Sequence, residues 1–236
     1  MKISVVLVCL LFLACSRSVE TPAPITEALP LSDETQFAPR PGDLLFQDSD
    51  CGPFCDAIEK VTFGVDGAKF SHVGMLVSQD DETLAVLEAI SAGVLLTPLD
   101  SFLNRSFDAA GDPKVLVGRM KPAYRKLLPD AIAYATGKLG APYDTVFDFT
   151  NDAYYCSELL HEAFQTANGG EPIFQPQPMT YNDPVTGELF PVWAEYFQEL
   201  NAPVPEGEPG LNPGGMSRSA FVEIVHVYGR PEGYIK

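Results

Sequence analysis

One cysteine stands alone late in the chain, Cys156, and the sequence offers three histidines that could serve as its base. A thiol attacks as the thiolate, and a neighbouring imidazole is the natural group to take its proton. Cys156 follows Asn151-Asp152-Ala153-Tyr154-Tyr155 and precedes a helical period of Leu159, Leu160, Ala163, Phe164 and Ala167. With Asn151 or Asp152 as N-cap, the thiol falls in the first turn of that helix. Backbone amides and the helix dipole favour the charged sulfur there. A free cysteine is equally at home as a small buried hydrophobe, so position alone does not make it a nucleophile.

The histidines differ. His161 lies five residues past Cys156, about 140° around the same helix, where the two side chains cannot meet. His226 sits between Val225 and Val227 in a strand-like run and reads as a structural histidine. His72 opens the run His-Val-Gly-Met-Leu-Val, and Gly74 leaves room for a close approach to its face. A polar stretch, Ser78 to Thr83, then links this strand to Leu84–Ile90. A hairpin turn centred near Asp80 places His72 directly opposite Glu88, on the same face of the sheet. Glu88 is the lone charge between Leu84 and Ile90. It can face water, or it can orient the far nitrogen of His72 as a third polar group.

These residues need a scaffold. Leu44 to Phe46, Val73 to Val77, Leu84 to Ile90, Val94 to Thr97, Lys114 to Val117 and Phe221 to Val227 read as short strands between Gly, Asp and Pro punctuation. Leu127, Leu128, Ala131, Ile132 and Ala135 recur at helical spacing, and Pro191 opens a third helix carrying Trp193, Tyr196, Phe197 and Leu200. A strand meander with few helices predicts an α+β fold, an antiparallel sheet packed against helices with Cys156 at a helix N-terminus. Residues 171–191 and 201–216 are rich in Pro and Gly and read as long surface loops.

The ordered motifs Pro41-Gly-Asp-Leu-Leu-Phe46, Ser71-His-Val-Gly-Met75, Leu87-Glu-Ala-Ile90, Gly140-Ala-Pro-Tyr-Asp144 and Tyr154-Tyr-Cys-Ser-Glu-Leu159 resemble the YaeF/YiiX permuted papain-like amidases. The resemblance runs from about Pro41 to Phe164, and His72 precedes Cys156 as in that permuted branch of the NlpC-type superfamily. It implies a papain-like core with Cys156 as nucleophile, His72 as base and Glu88 as third member. Asp43 and Asp144 read as structural braces. Tyr154 or Tyr155 is a candidate to hold an oxyanion, which requires donors aimed at the developing charge.

The remaining features bound the setting. The chain carries 15 Lys+Arg against 32 Asp+Glu, a formal −17, which disfavours nucleic acid and any basic membrane patch. Residues 1–14 read as a signal peptide: Lys2, an apolar run from Ile3 to Ala14, then Cys15. That run is too short to span a bilayer. It resembles a bacterial lipoprotein signal, with Cys15 lipidated; an ordinary cleaved signal is the alternative. Residues 15–40 read as a Pro-rich tether, and 41–236 as one domain. In an exported protein Cys51 and Cys55 are expected to form a disulfide rather than a metal site, since a zinc site would want four ligands. No cofactor is expected. Hydrolysis of an amide or related acyl bond through Cys156, on a cell-wall peptide or an N-acyl lipid, is the expected activity. Acyl transfer or lipid ester cleavage by the same residues and a non-catalytic envelope binding protein are the alternatives.

Overall fold

The structure, a computed structural model, describes residues 37–236; the expected signal, Cys15 and most of the tether lie outside the described residues. In chain order the elements are β1 (Leu44–Gln47), α1 (Pro53–Val61), β2 (His72–Ser78), β3 (Leu84–Ile90), β4 (Gly93–Pro98), α2 (Leu99–Leu103) and β5 (Val115–Met120). Then come α3 (Leu128–Thr136), α4 (Cys156–Ala167), β6 (Gln177–Pro178), α5 (Pro191–Glu199), β7 (Pro209–Gly210), α6 (Pro213–Ser217) and β8 (Val222–Val227). Six strands form one antiparallel sheet in the order β4-β3-β2-β1-β5-β8, and β6 pairs only with β7. The expected α+β architecture is what the chain adopts.

The strands read as apolar runs rather than alternating patterns because both sheet faces are covered. On one face Leu44, Phe46, Val73, Met75, Leu87 and Leu116 pack with Ala131 and Ala135 of α3 and Leu159, Leu160, Ala163 and Phe164 of α4. The residues between them, Leu45, Leu76, Val86 and Val115, face a smaller core that Phe102 of α2 closes. A third cluster joins Ala57 of α1 to Tyr181, Phe190, Trp193 and Phe197. So the segments expected as surface loops bury aromatic side chains, and three short helices, α1, α2 and α6, appear where none was expected. At five residues each, α2 and α6 gave the sequence no sustained helical period to detect.

The sheet register differs from the one expected. β2 and β3 pair as Met75↔Leu87, Leu76↔Val86, Val77↔Ala85 and Ser78↔Leu84. Continuing that register sets Gly74, not His72, opposite Glu88. The turn is therefore one residue further along than a centre at Asp80, which moves every cross-strand partner by two. His72 and Glu88 still share a face as diagonal neighbours, and glycine is what lets them meet. A Cβ on Gly74 would collide with the Val86 side chain and sit 3.4 Å from the Glu88 Cβ. Gly74→Ala should therefore lower stability by about 1–3 kcal/mol through overpacking. A fall in the urea midpoint at unchanged m is the expected readout, and an unshifted midpoint would refute the steric account.

Candidate active site

Cys156 is the first residue of α4, closer to the helix start than an N-cap at Asn151 or Asp152 would put it; Tyr155 occupies the cap position in extended conformation. Glu158 closes the turn by accepting the Tyr155 N–H at 3.1 Å. Asn151 instead serves the preceding turn, donating its amide to Asp144 at 3.1 Å. Asp144 also accepts the N–H groups of Val146 and Asp148 at 2.9 and 2.6 Å, so it braces the segment that leads into α4. Asp43 braces the far end of the sheet through both oxygens to Arg119, at 2.7 and 2.8 Å.

β2 pairs with β3 only from Met75 onward, which leaves the Val73 amide outside that ladder. The Val73 amide and the His72 ring lie against the Cys156 thiol, and both favour its thiolate. The His72 ring turns Nε2 toward Glu88 Oε2 at 2.6 Å. Glu88 is fully engaged. Arg105 grips both its oxygens, Nη1 to Oε2 at 2.8 Å and Nη2 to Oε1, and Thr97 of β4 donates its hydroxyl to Oε1. The carboxylate is 1% exposed. Phe102, one turn before Arg105, lies under both the His72 ring at 5.9 Å and the guanidinium at 5.1 Å.

The charges follow from these contacts. Burial opposes the Glu88 carboxylate, yet the hydrogen bonds from His72 and Arg105 outweigh it and hold the group down at about 2. Burial likewise opposes an imidazolium at His72, but bonds to Cys156 and Glu88 push it up to about 9. At Cys156 burial raises the thiol, and the hydrogen bond and charge of His72 bring it below its usual value. Together these shifts favour the charged forms, a thiolate–imidazolium pair backed by a carboxylate.

The other candidates are placed as follows. Tyr155 lines the cleft beside Cys156, and its hydroxyl accepts the Leu211 N–H at 3.0 Å. Tyr154 does not line that cleft; its ring lies under Lys138 at 4.9 Å. His161 stacks on Phe149, and burial lowers its pKa. His226 stacks face to face on Phe37 with ring centroids 4.1 Å apart. Cys51 and Cys55 are disulfide-bonded across the first turn of α1, with Cα atoms 5.3 Å apart.

The cleft itself has a cavity volume of about 130 Å³. Phe54 and Ile58 of α1, Phe147, Tyr181 and Trp193 wall it, with Cys156 at its floor, and not one Asp, Glu, Lys or Arg lines it. The late aromatics, Tyr181 and Trp193 among them, suit an apolar groove or ordinary packing alike when read in sequence; the part α1 plays was not foreseen, because α1 and the segment 178–213 meet only in the folded chain. Arg105 and Thr97 were also missed. A signal for Arg105 does exist: it is the only Lys or Arg between Lys69 and Lys114, and so the nearest cation in sequence to a carboxylate set among apolar neighbours.

Comparison with known proteins gives the chain a family and a fold relative. The family model of permuted papain-like amidases of the YaeF/YiiX type matches residues 38–226. The protein YiiX of Escherichia coli K12 is 33% identical over 139 residues, which is 56% of this chain and 61% of that protein's length. The crystal structure of the metalloprotein YiiX from Escherichia coli O157:H7 superposes with a TM-score of 0.65 at 25% identity, covering 82% of this chain and 99% of that one.

Proposed function

The chain belongs to the permuted papain-like amidase family of the YaeF/YiiX type, and from that premise we propose that it is a cysteine hydrolase that removes an apolar acyl group from an amine. The observation that carries this reading is the cleft: the thiolate opens onto a narrow, uncharged, aromatic-walled slot. Cell-wall stem peptides carry free carboxylates and amines, which a site would meet with opposite charges. A single acyl chain needs only apolar surface.

In the reaction the Cys156 thiolate attacks the amide carbonyl carbon. Negative charge develops on its oxygen near the start of α4, where the first-turn N–H groups have no intrahelical partner. Tyr155, whose hydroxyl keeps its own proton while accepting from Leu211, is the remaining tyrosine candidate for that charge. His72 gives its proton to the leaving nitrogen as the C–N bond breaks, leaving a thioester on Cys156. Neutral His72 then takes a proton from water, whose oxygen attacks the thioester. The acid departs and the ion pair is restored. If an alcohol replaces water, the same residues carry out acyl transfer.

The purified protein should release fatty acid from N-acyl amides, with preference for longer chains. Trp193→Ala should erase that preference, by roughly 10-fold or more in the ratio of kcat/KM for long over short chains. Turnover of purified peptidoglycan with N-acyl amides untouched would overturn the acyl reading in favour of a cell-wall peptide.

The related Escherichia coli structure is described as a metalloprotein. The described residues here do not fit a resident ion: no three His, Cys, Asp or Glu side chains converge to hold one, and Cys51 and Cys55 are joined to each other. We place the domain at the bacterial envelope, on the signal-like residues 1–14 and Cys15, a reading the disulfide supports. Membrane fractionation tests it: Cys15→Ser should move the protein from the membrane to the soluble fraction, and unchanged partitioning would exclude the lipid anchor.

A further inference from the structure

Four charges alternate through the site: the Cys156 thiolate, the His72 imidazolium, the Glu88 carboxylate and the Arg105 guanidinium. They sum to zero only with the last. Arg105 comes from the turn after α2, whose Phe102 is held by the Gln47 amide at 2.9 Å. Its side chain is partly exposed, while the Glu88 carboxylate it forks is sealed from solvent. We infer that Arg105 is a positioning residue: its guanidinium fixes the Glu88 carboxylate on His72 and, through its charge, sets the pH range in which the Cys156–His72 ion pair exists. This inference rests on the thiolate–imidazolium reading above.

Its two parts separate physically. The fork sets orientation, because two parallel N–H bonds leave the carboxylate one rotation, while Thr97 occupies a further lone pair on Oε1. The charge sets proton affinity. Without it the buried groups carry a net negative charge, and every proton in the chain is held more tightly. Both limbs of the profile, thiolate formation and His72 deprotonation, then move up in pH. A unit charge removed from roughly 10 Å at an effective dielectric near 20 is worth about one pKa unit.

Other titratable groups face the pair. Tyr143 lies near the thiol, and its hydroxyl is pushed far up by burial and by Cys156, so it stays protonated throughout. Glu158 on α4 is raised by burial to about 8, and Glu59 of α1 is raised by burial to about 7. Both titrate within the range, but they do so in every variant, so differences between variants isolate Arg105.

The experiment is the pH dependence of Cys156 alkylation by iodoacetamide, followed on the Cys156 peptide by mass spectrometry. This reads the thiolate without any substrate. In Arg105→Gln the midpoint should rise by about one pH unit. In Arg105→Lys, which keeps the charge and loses the fork, it should move by only a few tenths, while kcat falls at unchanged KM. A wild-type midpoint at an ordinary thiol value would sink the active-site reading itself. An activated wild type with no shift in Arg105→Gln, or an equal shift in Arg105→Lys, would overturn the inference alone. If Arg105→Gln fails to fold, Glu88→Gln and the double variant Glu88→Gln/Arg105→Gln provide the same comparison without a stranded carboxylate. The midpoint should again be higher in the variant lacking Arg105, and equal midpoints would overturn the inference.

Discussion

Replacing Cys156 by alanine should abolish turnover, with a loss in kcat on the order of 10⁴-fold to 10⁶-fold, while leaving the fold intact. The thiol is small and its removal opens little space, so stability and circular dichroism should match the wild type. The kinetic loss is large because no other group can form the acyl intermediate: Cys156 is the free cysteine among the described residues. His72→Ala should cost nearly as much, and the two together no more than either alone, since base and nucleophile act as one unit. Intact-mass spectrometry checks the covalent step directly. Wild-type protein mixed with a slowly hydrolysed acyl substrate should gain the mass of the acyl group, and Cys156→Ala should not. Retention of more than a few per cent of activity in that variant would mean that Cys156 is not the nucleophile.

Glu88→Ala should be the most destabilising single change at the site. The carboxylate is buried and accepts from His72, Arg105 and Thr97, so its loss strands two cationic partners and a hydroxyl. Breaking a buried pair from one side costs about 3–5 kcal/mol. Linkage gives a similar size: a carboxyl held at about 2 rather than 4.5 contributes about 3 kcal/mol. That contribution is complete above about pH 4.5 and is lost as pH falls toward 2. His72 has the opposite sign: its folded value near 9 exceeds its ordinary 6.5, so its contribution is complete below 6.5 and is lost as pH rises through 9. The network is therefore most stabilising between about pH 4.5 and 6.5. In Glu88→Ala the melting temperature should fall by roughly 6–20 °C at pH 6, and the loss of stability between pH 4.5 and 2 should shrink. A melting temperature within a degree or two of the wild type would show that the network carries little of the fold's stability.

How much of this could be read from the chain depends on the range of each interaction. Cys156 at a helix start was legible because caps and helical periods are local, though the cap proved to be Tyr155 and the helix began at the cysteine itself. The sharing of a face by His72 and Glu88 was legible because strand periodicity survives a shift of two residues; their direct opposition was not, because a turn centred one residue further along changes the partners without changing the face. Trp193, Tyr196 and Phe197 were readable as helical, and Trp193 and Phe197 as suiting the wall of an apolar groove, but ordinary packing was the stronger reading of them. That wall exists only where α5 meets α1, and scattered aromatics look the same in any core.

By itself, then, the sequence determined that a thiol stands at a helix N-terminus, that a histidine opens a strand, and that a lone carboxylate lies on the same sheet face as that histidine. Local rules govern each of these: hydrogen bonds along a helix, and the two-residue period of a strand. Only the tertiary structure decided that β2 parts from β3 beside α4, so that the Val73 amide and the His72 ring both reach the sulfur. It alone decided that α2 folds back to set Arg105 on Glu88, and that the cleft over Cys156 is uncharged and walled by aromatic rings. These contacts join segments from 9 to about 140 residues apart, and no periodic signal in a chain encodes which distant surfaces will close on one another.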